Sequence, residues 1–148
     1  SSLPAISDPL VLDGATQPGG GKVILNGSQA GASVNGLRLT GGNSKVKGLV
    51  IERFGGFGII LETGNGNVVE DNYIGTDATG TSKSGNQEGG IHVLSASNII
   101  RRNIISGNAV GIALNGSAAT DNQVTANMIG AGLMGAYDVG NTRQGIWL

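Results

Sequence analysis

The sequence predicts an all-β solenoid, a parallel β-helix of about five to six short rungs with long loops on alternate rungs. Three observations point there. Glycine is abundant, at 28 of 148 residues, while charged residues make up only 13%. Hydrophobic residues make up 39% and gather in short β-branched runs such as Val23-Ile24-Leu25 and Leu49-Val50-Ile51. One segment, Gly-aliphatic-x-aliphatic, recurs along the whole chain.

Composition removes the competing classes. The glycines follow no three-residue period and there are only three prolines, which excludes collagen. The apolar runs exclude disorder. A chain of this size buries a core without disulfides or a metal. A net charge of −1 gives no electrostatic footing for nucleic acid or an anionic membrane, so neither partner is expected. The absence of cysteine excludes thiol catalysis, a disulfide framework and cysteine-ligated zinc, and leaves the compartment open. No apolar stretch approaches the ~18 residues that a membrane-spanning helix needs. Ser1-Ser2-Leu3-Pro4 carries neither an initiator Met nor the charged and apolar regions of a signal peptide, and reads as an artificial or processed start.

The repeated segment opens at Gly36 (GLRL), Gly58 (GIIL), Gly90 (GIHV), Gly111 (GIAL) and Gly145 (GIWL), at separations of 22, 32, 21 and 34 residues. In the first four units a second apolar pair follows, Val46 with Ile51, Val69 with Ile74, Ile100 with Ile105 and Val124 with Ile129, always five apart. Side chains alternate faces along a strand, so two inward residues five apart require a bend between them. Asn72, Asn103 and Asn127 stand at that bend and tolerate the left-handed backbone region; the first unit has Gly48 one residue earlier. No twelve-residue window carries an amphipathic helical pattern free of several glycines.

The longer separations come from matching insertions. Asn67, Asn72, Ile74, Gly75, Gly80, Gly85, Asn86, Gly90 and Ile91 all recur 55 residues later. The unit is therefore a double rung, one short and one long, with a loop leaving the same edge of alternate rungs. Stacking at the ~4.8 Å strand spacing places Leu37, Ile59, Ile91, Ile112 and Ile146 in one internal column, and Ile51, Ile74, Ile105 and Ile129 in a second. Outside, Lys47, Glu70, Arg101 and Thr125 fall in one ladder, with Asp71 and Arg102 beside it. As exposed pairs these charges would add on the order of 0 to 1 kcal/mol each.

A single domain over 1–148 is expected, with an irregular first rung over 1–35, double rungs over 36–89 and 90–144, and the start of an incomplete rung over 145–148. That last segment leaves an open parallel edge carrying Trp147, which invites pairing with another chain or marks a cut in a longer protein.

The stretches LVLDGATQPG (10–19), ILNGS (24–28), GGNSKVKGLVI (41–51) and above all NVVEDNYIGTDATGT…GN (67–86) resemble the bacterial right-handed parallel β-helix repeat proteins of the pectin-lyase-like superfamily. The resemblance covers essentially the whole chain. It implies a right-handed coil, and, since members usually run longer, a fragment of a longer chain. For function it implies a choice between large secreted or surface proteins and true polysaccharide lyases and hydrolases. The second copy departs from the pattern: IGAGLMGAYDVGN (129–141) replaces IGTDATGTSKSGN (74–86), so any role of Thr76 or Asp77 is not repeated.

Hydrolysis of a polysaccharide needs two or three carboxylates converging as general acid and base. The weak catalytic candidates are Glu70, Asp71, Asp77 and Arg101, with Glu62 as a further carboxylate. The plainer reading makes Glu70 and Asp71 paired surface charges and Asp77 a turn former. A lyase would want calcium held by clustered carboxylates and a basic residue to take the proton; Arg101 or Arg102 could serve only if freed from Glu70 and Asp71. His92, the only histidine, sits at an outward position of GIHV. No calcium nonapeptide, phosphate loop or Ser-His-Asp set can be assembled, so no metal and no cofactor is expected.

One stripe, Val50, Tyr73, Ile104 and Met128, makes both faces of its strands apolar and calls for a cover. The long loops (75–89 and 130–144) or a protomer or partner would provide it. The expected function is a structural or adhesive repeat scaffold of a secreted or surface protein of bacterial type. Tyr73, Tyr137 and Trp147 would be its carbohydrate-stacking residues, with self-association through the open helix ends or the Val50 face. The alternative is a polysaccharide lyase or glycoside hydrolase using Glu70, Asp71, Asp77 and Arg101.

Overall fold

A computed structural model describes residues 1–148. Each turn of the coil consists of three short strands. The first turn holds β1 (Val11–Asp13), β2 (Val23–Asn26) and β3 (Leu37–Leu39); the second holds β4 (Lys45–Lys47), β5 (Leu49–Glu52) and β6 (Phe57–Leu61). The third holds β7 (Val68–Glu70), β8 (Tyr73–Ile74) and β9 (Gly89–Val93); the fourth holds β10 (Ile99–Arg101), β11 (Ile104–Ile105) and β12 (Val110–Leu114). The fifth holds β13 (Gln123–Thr125), β14 (Met128–Ile129) and β15 (Ile146–Trp147). Like strands of successive turns pair in parallel, which makes three sheets of five: β1-β4-β7-β10-β13, β2-β5-β8-β11-β14 and β3-β6-β9-β12-β15. The only helical element is a 3₁₀ turn at Leu133–Gly135. This is a right-handed parallel β-helix of five rungs.

The register is the one that the repeat predicts. Leu37 pairs with Ile59, Ile59 with Ile91, Ile91 with Ile112 and Ile112 with Ile146. Ile51, Ile74, Ile105 and Ile129 follow one another in the second column, with Leu25 beneath Ile51. The middle members of both columns are fully buried, and they join Val46, Val69 and Ile100 in one core cluster running along the axis. Each such side chain contributes roughly 1.5–3 kcal/mol by leaving water. Ile146, in the last rung, is 46% exposed.

At the corner where the third-sheet strands begin, inward space vanishes. A Cβ on Gly90 would meet the Gly111 carbonyl oxygen and Ile105 Cγ2, both at 2.6 Å. Only a bare backbone lets adjacent rungs close there, which is why the repeat opens on glycine.

The bend between the first and second sheets differs from the expectation in one respect. The left-handed residue is not the asparagine but its predecessor: Asp71 (φ 57°), Arg102 (φ 54°) and Ala126 (φ 52°), aligned with Gly48 (φ 69°). Asn72, Asn103 and Asn127 instead turn inward and form a ladder. Asn103 Oδ1 accepts from Asn72 N at 3.0 Å and Nδ2 at 3.1 Å, and Asn127 Oδ1 does the same for Asn103. The amides also donate across the bend to Val46, Val69 and Ile100 carbonyls. The other two corners repeat the device, with Asn67, Asn98 and Asn122 at one and Asn86, Asn108 and Asn141 at the other. A tight bend inside a core strands backbone N–H and C=O groups, and one amide per rung satisfies both kinds. No buried side-chain nitrogen or oxygen is left without a partner.

Long connections leave the corner after the second sheet on alternate rungs, following β2, β8 and β14, while β5 and β11 are followed by four residues each. The second and third long loops lean on each other: Leu133 N donates to Gly80 O at 2.8 Å. Gly80 lies over Tyr73 and Ile104, where a Cβ would come within 3.1 and 3.2 Å of their side chains. These loops thus help to cover the apolar stripe, in which Val50 and Ile104 are buried, Tyr73 is half-buried and Met128 is 38% exposed.

Candidate functional site

On the first sheet, Asp13, Lys47, Glu70, Arg101 and Thr125 stand in successive registered positions, alternating in sign over the first four. The ionic contacts are more specific than the column. Lys47 Nζ turns down to Asp13 at 2.9 Å. Glu70 is taken by Lys45 at 3.3 Å, Arg101 at 2.7 Å and Arg102 at 2.9 Å. Arg102 also makes a two-pronged contact with Asp71, each prong 2.9 Å. Glu70 is therefore not the exposed member of a surface pair that the sequence suggests, since only 7% of its side chain reaches solvent. Burial raises its pKa, but hydrogen bonds from Arg101 and Lys45 outweigh this and hold the carboxyl below the usual range.

The other carboxylates are equally engaged. Glu62 is hydrogen-bonded to Arg38, which lowers its pKa. Asp77 closes its own loop, accepting from Thr79 Oγ1 at 2.8 Å and from the N–H groups of Thr81 and Ser82 at 3.2 Å. Burial raises its pKa, yet the Thr79 hydroxyl and the loop amides bring the net shift downward. In the second copy a turn with Met134 at φ 59° occupies the corresponding loop, so the Asp77 arrangement is present once.

Of the residues singled out in the sequence, the fold brings Glu70, Asp71, Arg101 and Arg102 into one ionic cluster and sets Tyr73 beside it. Asp77 is bonded within its loop, Tyr137 is exposed in the loop after β14, and Trp147 lies half-exposed on the third sheet, in register with Ala113. His92 stacks on Phe57 at 4.6 Å between ring centroids and bonds Asn115 Oδ1 at 2.6 Å.

Beside the cluster a groove of 420 Å³ opens, walled by Asp71, Tyr73, Arg102, Ile104, Met128 and Leu133. Lys22 also lines it, a residue without a sequence signal because it precedes β2 in the irregular first rung. Lys22 Nζ lies 4.2 Å from the Tyr73 ring centroid and donates to the Asp71 carbonyl at 3.3 Å. Burial lowers its pKa, and the nearby Asp71 charge partly opposes the shift. The lining is part aromatic and apolar, part ionic. Such a surface suits a ligand with both an apolar face and hydroxyl or charged groups. A general acid needs a raised pKa near neutrality, whereas Glu62, Glu70 and Asp77 are all shifted down.

The architecture and the unbroken stack of rungs define the class: a right-handed β-helical repeat protein. The chain matches the family model described as a right handed beta helix region over residues 12–146, and it belongs to that family. No curated protein and no solved structure matches it.

Proposed function

We propose that this repeat scaffold is a non-catalytic, ligand-presenting module of a secreted or surface-displayed bacterial protein, and that it binds carbohydrate in the Tyr73 groove. The observation that carries the reading is the groove's composition. A half-buried tyrosine ring and the apolar side chains of Ile104, Met128 and Leu133 share the lining of one groove with Arg102 and Asp71, around a space large enough for a sugar residue. The committed carboxylates support binding over bond cleavage. Glu70 and Asp71 neutralise arginines, and Asp77 holds a loop. A lyase or hydrolase acting through Glu70, Asp71, Asp77 and Arg101 would first have to break these contacts.

A glycan array followed by calorimetry tests the proposal. The expected result is binding of at least one glycan class, weakened about tenfold or more by Tyr73→Ala, with Asp77→Asn binding as wild type and no reducing or unsaturated sugar released. Release of sugar ends that Asp77→Asn abolishes would favour the enzyme. Binding indifferent to Tyr73→Ala would move the site elsewhere. Placement outside the cell is tested by protease shaving of intact cells that express the protein.

A further inference from the structure

A second cleft, of 480 Å³, opens where the loop after β2 meets the short turn after β5 and the loop after β8. It shares no residue with the Tyr73 groove. Its walls are mostly glycine and other small residues, and Arg53 is its only charged one.

Three observations single it out. First, Arg53 is uncommitted. Arg38, Arg101 and Arg102 each donate to a carboxylate, whereas the side chains of Arg53 and Arg143 make no hydrogen bond; of these two only Arg53 lines a cleft, with 57% of its side chain exposed. Its nearest acid, Glu52, is 4.0 Å away, and that carboxylate oxygen already accepts from Asn26 Nδ2 at 2.7 Å. Second, the cleft residues Gly31, Ala32, Gly55 and Gly85 have amide N–H groups that donate to nothing within the protein. Third, the internal repeat supplies a comparison. Arg53 N donates to Ser84 O and Gly107 N to Val139 O, so the two residues hold equivalent places in successive short rungs, both left-handed (φ 59° and 76°). Glycine adopts that conformation without cost, and this rung carries a guanidinium there instead.

We propose that this cleft binds an oxyanion, a sulfate, phosphate or carboxylate group. Arg53 supplies the forked N–H donors and the unpartnered amides complete the concavity. The chemistry is shared by a free inorganic ion and by an acidic group on a polymer, and titration separates these sources.

The full chain, labelled with ¹⁵N, is titrated at constant ionic strength with sodium sulfate, sodium phosphate, sodium acetate and a sulfated oligosaccharide, with its neutral counterpart as control. The expected result is a saturable shift of the Gly31, Ala32, Gly55 and Gly85 amide resonances with at least one anion. Arg53→Gly should weaken it about tenfold or more. That variant should fold, since Gly107 fills the same place, and the rest of its spectrum checks this; Arg53→Gln is the second variant, and Arg143→Gln should bind as wild type. A tighter response to the sulfated oligosaccharide than to free sulfate assigns a polymer-borne group, and the reverse assigns a free ion. No saturable shift with any anion, or an unchanged shift in Arg53→Gly, overturns the proposal.

Discussion

Asn103 shows how much one side chain does at a corner of this coil. Its amide accepts from the rung beneath through two bonds and donates to Val69 O, Arg101 O and Asn127 Oδ1. Asn103→Ala leaves the backbone N–H of Asn72 without its acceptor in a site that water does not reach, and removes one of the donors to the Val69 carbonyl. The expected loss is about 2–4 kcal/mol, read as a fall in the urea midpoint at unchanged slope. Asparagine is thus required for its two-sided hydrogen bonding rather than for its backbone tolerance. The spacing of Asn72, Asn103 and Asn127 was visible in the chain, but an asparagine at a bend fits either role. What decided between them was the φ of the preceding residue, which no side-chain pattern reports.

Among the elements, the first sheet carries the charged ladder. The strand register follows from the period of the repeat, and so Lys47, Glu70 and Arg101 fall in line as the sequence requires. Which cation reaches which anion does not follow, because long side chains choose among neighbours two positions apart. Lys47 prefers Asp13, and Lys45 goes to Glu70. The same limit hid Lys22, whose contact with Tyr73 spans the irregular first rung.

The ionic cluster makes stability depend on pH. Glu70 has a lowered folded-state pKa, so its contribution is present above the unfolded carboxyl value of about 4.3 and is lost as pH falls through the folded value. Glu70→Gln also leaves Lys45, Arg101 and Arg102 facing one another. At pH 7 it should melt well below wild type by circular dichroism, and the gap should narrow as pH drops below about 4. An equal gap at both pH values would mean that the cost of the substitution is packing.

For the whole molecule, the consequence of stacking is that each rung is stabilised only by its neighbours. Residues 22, 32 and 21 apart in sequence therefore meet through the interior. Methyl-labelled NMR tests this directly. The result expected is a chain of methyl–methyl contacts from Leu37 to Ile59, Ile91 and Ile112, and a second from Ile51 to Ile74 and Ile105. Contacts absent between these residues, or present only between residues a few positions apart, would contradict the stacked coil and with it the two proposed binding sites.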